Sequence, residues 1–163
     1  PVAPEPLVSQ PPVVQNAARP KASNSKHLGR VDLLAIGIST GGPNALNVLI
    51  PQLPANLGLP VLIVQHMPPL FTTSLANSLN KKSALTVKEA EHHEPVLPNV
   101  VYIAPGGKHM TLQADNPQPR IVILDSPPVN SCKPSVDVLL QSLPQAVSGH
   151  LLTLIMTGMG QDG

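Results

Sequence analysis

Three aliphatic runs constrain this chain more than any other feature. Val31–Ile36, Leu59–Gln65 and Leu151–Met156 are dominated by Leu, Ile and Val. Apolar runs of that length, without polar alternation, read as strands buried on both faces in a parallel sheet. The core has to be aliphatic, because Tyr102 and Phe71 are the only aromatic residues, although 42% of the 163 residues are hydrophobic. Each run gives way to a polar loop. The first leads into Gly37-Ile38-Ser39-Thr40-Gly41-Gly42, the second into His66-Met67-Pro68-Pro69, and the third into Thr157–Gly163 with Asp162. A strand–helix–strand crossover lays its strands parallel, so Ser39 and His66 are predicted at the same edge of the sheet. Ligands of open α/β sheets bind outside the carboxyl ends of the strands.

The intervening sequence supplies the other elements. A short helix is predicted near Asn44–Ile50, ended by Pro51 and Pro54. Thr72 is expected to cap a helix carrying Leu75 and Leu79. Strand-like runs follow at Thr86–Ala90 and Val100–Ala104. Met110–Ala114 and Arg120–Leu124 flank Asp115-Asn116-Pro117 and read as an antiparallel hairpin. Pro134–Val147 has helical apolar spacing, with Pro144 expected to bend or end it early.

Residues 1–30 contain six prolines and a net charge of +3, and read as a disordered linker. The folded domain is predicted over 31–163, with net charge −2. The whole-chain charge of +1 gives no reason to expect a nucleic-acid partner. A single cysteine, Cys132, excludes an intrachain disulfide and suits a reducing compartment. No apolar run is long enough for membrane insertion, and no leader pattern is present. The chain starts at Pro1 and stops at Gly163 within a loop, and is expected to be part of a longer protein.

Ser39, His66 and Asp162 are the residue types of nucleophilic acyl chemistry. Serine needs a base in hydrogen-bond reach, histidine titrates near neutrality, and a carboxylate fixes the imidazole tautomer. Ser39 also precedes a helix amino end, where unsatisfied N–H groups favour an oxyanion. By spacing alone, a structural turn and a structural histidine remain open alternatives. Gly37–Gly41 matches G-x-S-x-G, but the hydrolases with that elbow run Ser, acid, His, whereas the order here is Ser, His, Asp. A phosphate loop lacks its Lys and Ser/Thr, since Pro43 and Asn44 stand there. A dinucleotide loop lacks its second glycine, since Ser39 stands there. Glu91-His92-His93-Glu94 lacks zinc-ligand spacing and reads as a solvated loop. His109 reads as a strand-end residue, Cys132 as an incidental thiol, and Asp137 as a first-turn acid. Asp125 is a weaker candidate acid than Asp162.

Six segments in order resemble one family. They are Gly37-Ile38-Ser39-Thr40-Gly41-Gly42, Gln65-His66-Met67-Pro68-Pro69, Tyr102-Ile103-Ala104-Pro105-Gly106, Pro127-Pro128-Val129-Asn130, Pro134-Ser135-Val136-Asp137 and Thr157–Gly163. From about Val31 to the last residue the chain resembles the catalytic domain of the chemotaxis protein-glutamate methylesterases, the CheB family. The resemblance implies a doubly wound, mainly parallel α/β sheet with a β-hairpin insertion, incomplete at the C-terminal end. It implies hydrolysis of γ-glutamyl methyl esters on the cytoplasmic part of chemoreceptors, in some members with glutamine deamidation. Ser39 would be the nucleophile, His66 the base and then acid, and Asp162 the orienting carboxylate. Met159 would offer an oxyanion N–H and Thr40 would support the histidine. No metal or organic cofactor is implied. The implied partners are a methylated receptor and, through a receiver domain preceding the linker as in response regulators, a sensor kinase. The implied location is cytoplasmic. Ile38 departs from a usual alanine. The family domain continues past Gly163, so this chain is expected to be weakly active or inactive. The alternative is a non-catalytic receptor- or anion-binding module.

Overall fold

The computed structural model describes residues 30–163. The linker expected over 1–30 therefore falls almost wholly outside the described residues. Strands β1 (Val31–Ile38), β2 (Val61–Gln65), β3 (Thr86–Glu89), β4 (Val100–Ile103) and β7 (His150–Ile155) form one sheet in the order β3-β4-β2-β1-β7. Every pair in it is parallel. The three aliphatic runs are its three adjacent strands, β2, β1 and β7. Helix α1 (Gly42–Leu49), α2 (Phe71–Asn80) and α3 (Val136–Ala146) connect and cover it, and β5 (His109–Gln113) with β6 (Arg120–Leu124) makes the expected antiparallel hairpin.

Strand periodicity sends alternate β1 side chains to opposite faces. Leu33 and Ala35 join Leu139 and Leu143 of α3 and Met110, Leu112 and Ile121 of the hairpin. Ile36 and Ile38 join Leu46 of α1 and Leu75 and Leu79 of α2. Helices therefore lie on both faces, the doubly wound arrangement. Tyr102 is buried in the first layer, where its hydroxyl donates to Pro95 O and accepts from Leu97 N, each at 3.0 Å.

Two local expectations are corrected. Leu70, not Thr72, occupies the N-cap of α2. The Thr72 hydroxyl is buried and already engaged, donating to Glu89 Oε1 at 2.5 Å and accepting from Gly106 N at 2.9 Å. Pro144 does not end α3, which runs on to Ala146 and closes with Val147 N donating to Leu143 O at 2.9 Å. Lacking an N–H, Pro144 takes one donor from Leu140 O, while the backbone beyond it still closes the last turn.

Candidate active site

The carboxyl ends of β1, β2 and β7 converge on one open cleft of about 240 Å³, whose walls include Ser39, His66, Thr157, Met159 and Asp162. Backbone pairing continues past the strands and fixes the loops. His66 N donates to Ile38 O at 3.1 Å, Met156 N to Gly37 O at 2.9 Å, and Ser39 N to Thr157 O at 2.9 Å. The loop after β7 passes so close to Ser39 that a Cβ on Gly158 would lie 2.8 Å from the serine Cβ.

His66 and Asp162 meet directly. His66 Nε2 lies 2.7 Å from Asp162 Oδ2, with the carboxylate side chain 1% exposed and the imidazole 16% exposed. A carboxylate that buried needs donors on both oxygens. The amino end of α3 supplies them. Val136 N donates to Oδ2 at 2.6 Å, while the Ser135 hydroxyl donates to Oδ1 at 2.5 Å and Asp137 N does so at 3.2 Å. Burial works against ionisation of Asp162, but Ser135, the two amides and the His66 ring outweigh it and hold the carboxyl below the usual range. Asp137 is the first-turn acid expected, and its carboxylate accepts from Gly163 N at 3.2 Å and from the Asn130 amide at 2.7 Å.

Ser39 is half-buried at the end of β1, and no hydrogen bond joins its hydroxyl to His66 among the described residues. With Nε2 given to Asp162, Nδ1 is the imidazole nitrogen left for a second partner. Met159 is 80% exposed at the cleft, and its backbone N–H meets no acceptor among the described residues. Thr40 is exposed, with no bond to His66 among those residues. The first amide of α1 is not free for an anion, because Gly42 N donates to Ser39 O at 2.8 Å. Ile38, the bulkier residue next to Ser39, is 3% exposed and sends its side chain into the α1–α2 layer.

Several contributors escaped the sequence reading. Gln65 is buried, and its Nε2 donates to Ser39 O at 3.0 Å and His66 O at 3.2 Å, bracing both loops. A polar residue closing an aliphatic strand was the available signal. Ser135 caps α3 and holds Asp162. His109 is fully buried, accepting from Ser135 N through Nδ1 at 3.1 Å and therefore donating through Nε2 to Pro127 O at 3.0 Å. Cys132 is not isolated, since its Sγ lies 3.7 Å from His66 Nδ1. Burial pushes its thiol up, and the Asp162 and Asp137 charges push it further. Asp125 pairs with Lys133 at 2.6 Å, away from the cleft. The Glu91–Glu94 loop bonds to Lys88 and the hairpin, and forms no metal-ligating cluster among the described residues.

A family model described as CheB methylesterase matches residues 34–163. The chain belongs to the CheB methylesterase family. A "Protein-glutamate methylesterase/protein-glutamine glutaminase" of Desulfotalea psychrophila is 55% identical over 137 residues, 83% of this chain and 38% of that protein. One of the same name from Archaeoglobus fulgidus is 53% identical over 128 residues, 78% of this chain and 37% of that protein. The crystal structure of the Thermotoga maritima CheB methylesterase catalytic domain superposes with a TM-score of 0.78 at 45% identity, covering 82% of this chain and 71% of that one. This CheB-family chain thus spans well under half the length of those curated relatives. None of its helices among the described residues is long and apolar enough to cross a membrane.

Proposed function

We propose that this chain carries the catalytic part of a protein-glutamate methylesterase, with Ser39 as nucleophile, His66 as base and Asp162 as orienting carboxylate. The observation that carries the reading is the buried carboxylate–imidazole pair at the carboxyl edge of the sheet, one strand away from a serine on a tightly held loop. Asp162 keeps the proton of His66 on Nε2, leaving the Nδ1 lone pair to take the Ser39 proton as Oγ attacks the ester carbonyl. The Met159 N–H serves the oxyanion, and His66 returns its proton to the departing methanol. Water then resolves the glutamyl-serine ester by the same route in reverse. Each oxyanion donor of this kind supplies on the order of 3 kcal/mol.

The relatives are named for methyl-esterified glutamate and for glutamine on proteins; in this reading the protein acted on is a chemoreceptor, modified on its cytoplasmic part. In this reading the activity serves chemotaxis adaptation and is controlled by a sensor kinase acting on a receiver domain joined through residues 1–30. Methanol release from a methyl-esterified receptor fragment tests it, with Ser39→Ala as control. Weak release from this chain, stronger from one continued past Gly163 and gone from both in Ser39→Ala, is the expected result. Release that persists in that variant removes Ser39 from the chemistry, and none from either wild-type chain removes the esterase reading.

A further inference from the structure

Cys132 stands on a tight turn rather than a loose loop. Val129 and Cys132 exchange both backbone hydrogen bonds, at 3.1 and 2.8 Å, and the two residues between them, Asn130 and Ser131, both have positive φ, 48° and 62°. That is the two-residue hairpin geometry with a fixed outcome for its flanking side chains. The Asn130 amide ties the turn to Asp137. The thiol is thereby held against the one imidazole nitrogen that Asp162 does not occupy.

We propose that Cys132 Sγ and His66 Nδ1 form a site for a thiophilic divalent cation of the zinc class, and that filling it silences the esterase. Three features point to it. A tetrahedral zinc takes thiolate sulfur at about 2.3 Å and imidazole nitrogen at about 2.0–2.1 Å, which places the two ligand atoms about 3.5 Å apart. Sγ and Nδ1 are already 3.7 Å apart. Metal-binding histidines characteristically give their other ring N–H to a carboxylate, and His66 Nε2 meets Asp162 at 2.7 Å. Among the described residues, the ligand atoms of His66, Cys132 and Asp162 lie within 4.8 Å of one another, but Asp162 faces the other ring nitrogen and stays outside the Sγ–Nδ1 pair. The nearby Asp162 and Asp137 carboxylates add negative charge that favours a dication.

The binding step is balanced: the hydrated cation replaces the thiol proton, which leaves to solvent, and loses water to sulfur and nitrogen. Its effect on turnover rests on the esterase reading, because the metal would hold the lone pair that Ser39 needs. Binding itself does not rest on that reading, so it is measured separately. Cadmium is the probe, since a cadmium–thiolate bond absorbs in the ultraviolet and Cys132 is the only cysteine.

The expected result is one cadmium per chain with a thiolate band, displaced by zinc and absent in Cys132→Ser. His66→Ala should bind at least about tenfold more weakly. One-bond coupling between cadmium-113 and a single imidazole nitrogen in the wild type identifies the histidine without relying on a variant's folding. No band, or a band with no coupled imidazole, overturns the site. With wild type active, zinc should abolish methanol release, and Cys132→Ser should need at least about tenfold more zinc for the same loss. Equal sensitivity overturns the silencing. Binding as expected in a chain that releases no methanol leaves the site standing and fails only the esterase reading.

Discussion

Asp162 stays ionised in a buried position because four donors reach it: His66 Nε2, the Ser135 hydroxyl and the Val136 and Asp137 amides. Its carboxyl is held below the usual range, so it titrates at lower pH in the folded chain than in the unfolded one. The stability it supplies is therefore complete above the unfolded carboxyl range near pH ~4, and is lost as pH falls through the folded value. Ser135→Ala removes one donor and moves the folded value up towards the unfolded one. The acid loss of stability should then be smaller and be complete at a higher pH, while its onset, set by the unfolded carboxyl, stays where it is; thermal unfolding followed from about pH 7 to about pH 3 measures this. At neutral pH the same variant should be destabilised by about 1 kcal/mol, since it also loses the cap of α3. An unchanged acid limb would mean that Ser135 caps the helix without tuning the carboxylate. Gln65 makes a second residue-level prediction. Its amide is locked between two carbonyls, and a Cβ at Gly42 would sit 1.8 Å from its Oε1. Gly42→Ala should cost about 1–3 kcal/mol in urea unfolding, because the amide has to give up its bonds to make room.

At the scale of elements, long aliphatic runs were readable and long-range polar contacts were not. β1, β2 and β7 were found to within two residues, because a doubly covered parallel strand has few ways to look different. The hairpin was readable from Asp115-Asn116-Pro117 between two alternating runs. The start of α2 was misread because Thr72 resembles a cap by type, whereas Glu89 and Gly106 claim its hydroxyl from far along the chain. Ser39, His66 and Asp162 were readable as candidates because each follows a strand. Gln65, His109 and Cys132 act through partners that only the assembled sheet brings near. β7 adds a prediction of its own. It ends the sheet, and Leu152 and Leu154 are 49% and 39% exposed beside the α1 layer. An exposed aliphatic edge strand invites pairing with a second chain. Leu154→Lys should lower the self-association of this chain in light scattering while changing its unfolding free energy by no more than about 0.5 kcal/mol.

The molecule as a whole has two apolar layers with unequal duties. The layer holding α3 and the hairpin presents the amino end of α3 to Asp162, and so sets the position of His66. The layer holding α1 and α2 buries comparable aliphatic side chains, and the distal half of α2 has no contact with the carboxylate. Stability and site geometry should therefore separate by layer. Leu139 of α3 and Leu79 of α2 are both essentially inaccessible, at 1% and 0% exposed. Truncating either to alanine removes the same atoms and should cost about 2–5 kcal/mol. Leu139→Ala loosens the helix whose first turn grips Asp162, and a small misplacement there is enough to lower kcat/KM by about 10-fold or more. Leu79→Ala leaves that turn in place and should keep most of its activity. The comparison is made cold, where denaturant curves show both variants folded, by methanol release per folded chain. A loss confined to Leu139→Ala assigns site positioning to the α3 layer. Equal losses would mean that the sheet transmits either defect, and that the grip of α3 on Asp162 is not what sets the geometry of His66.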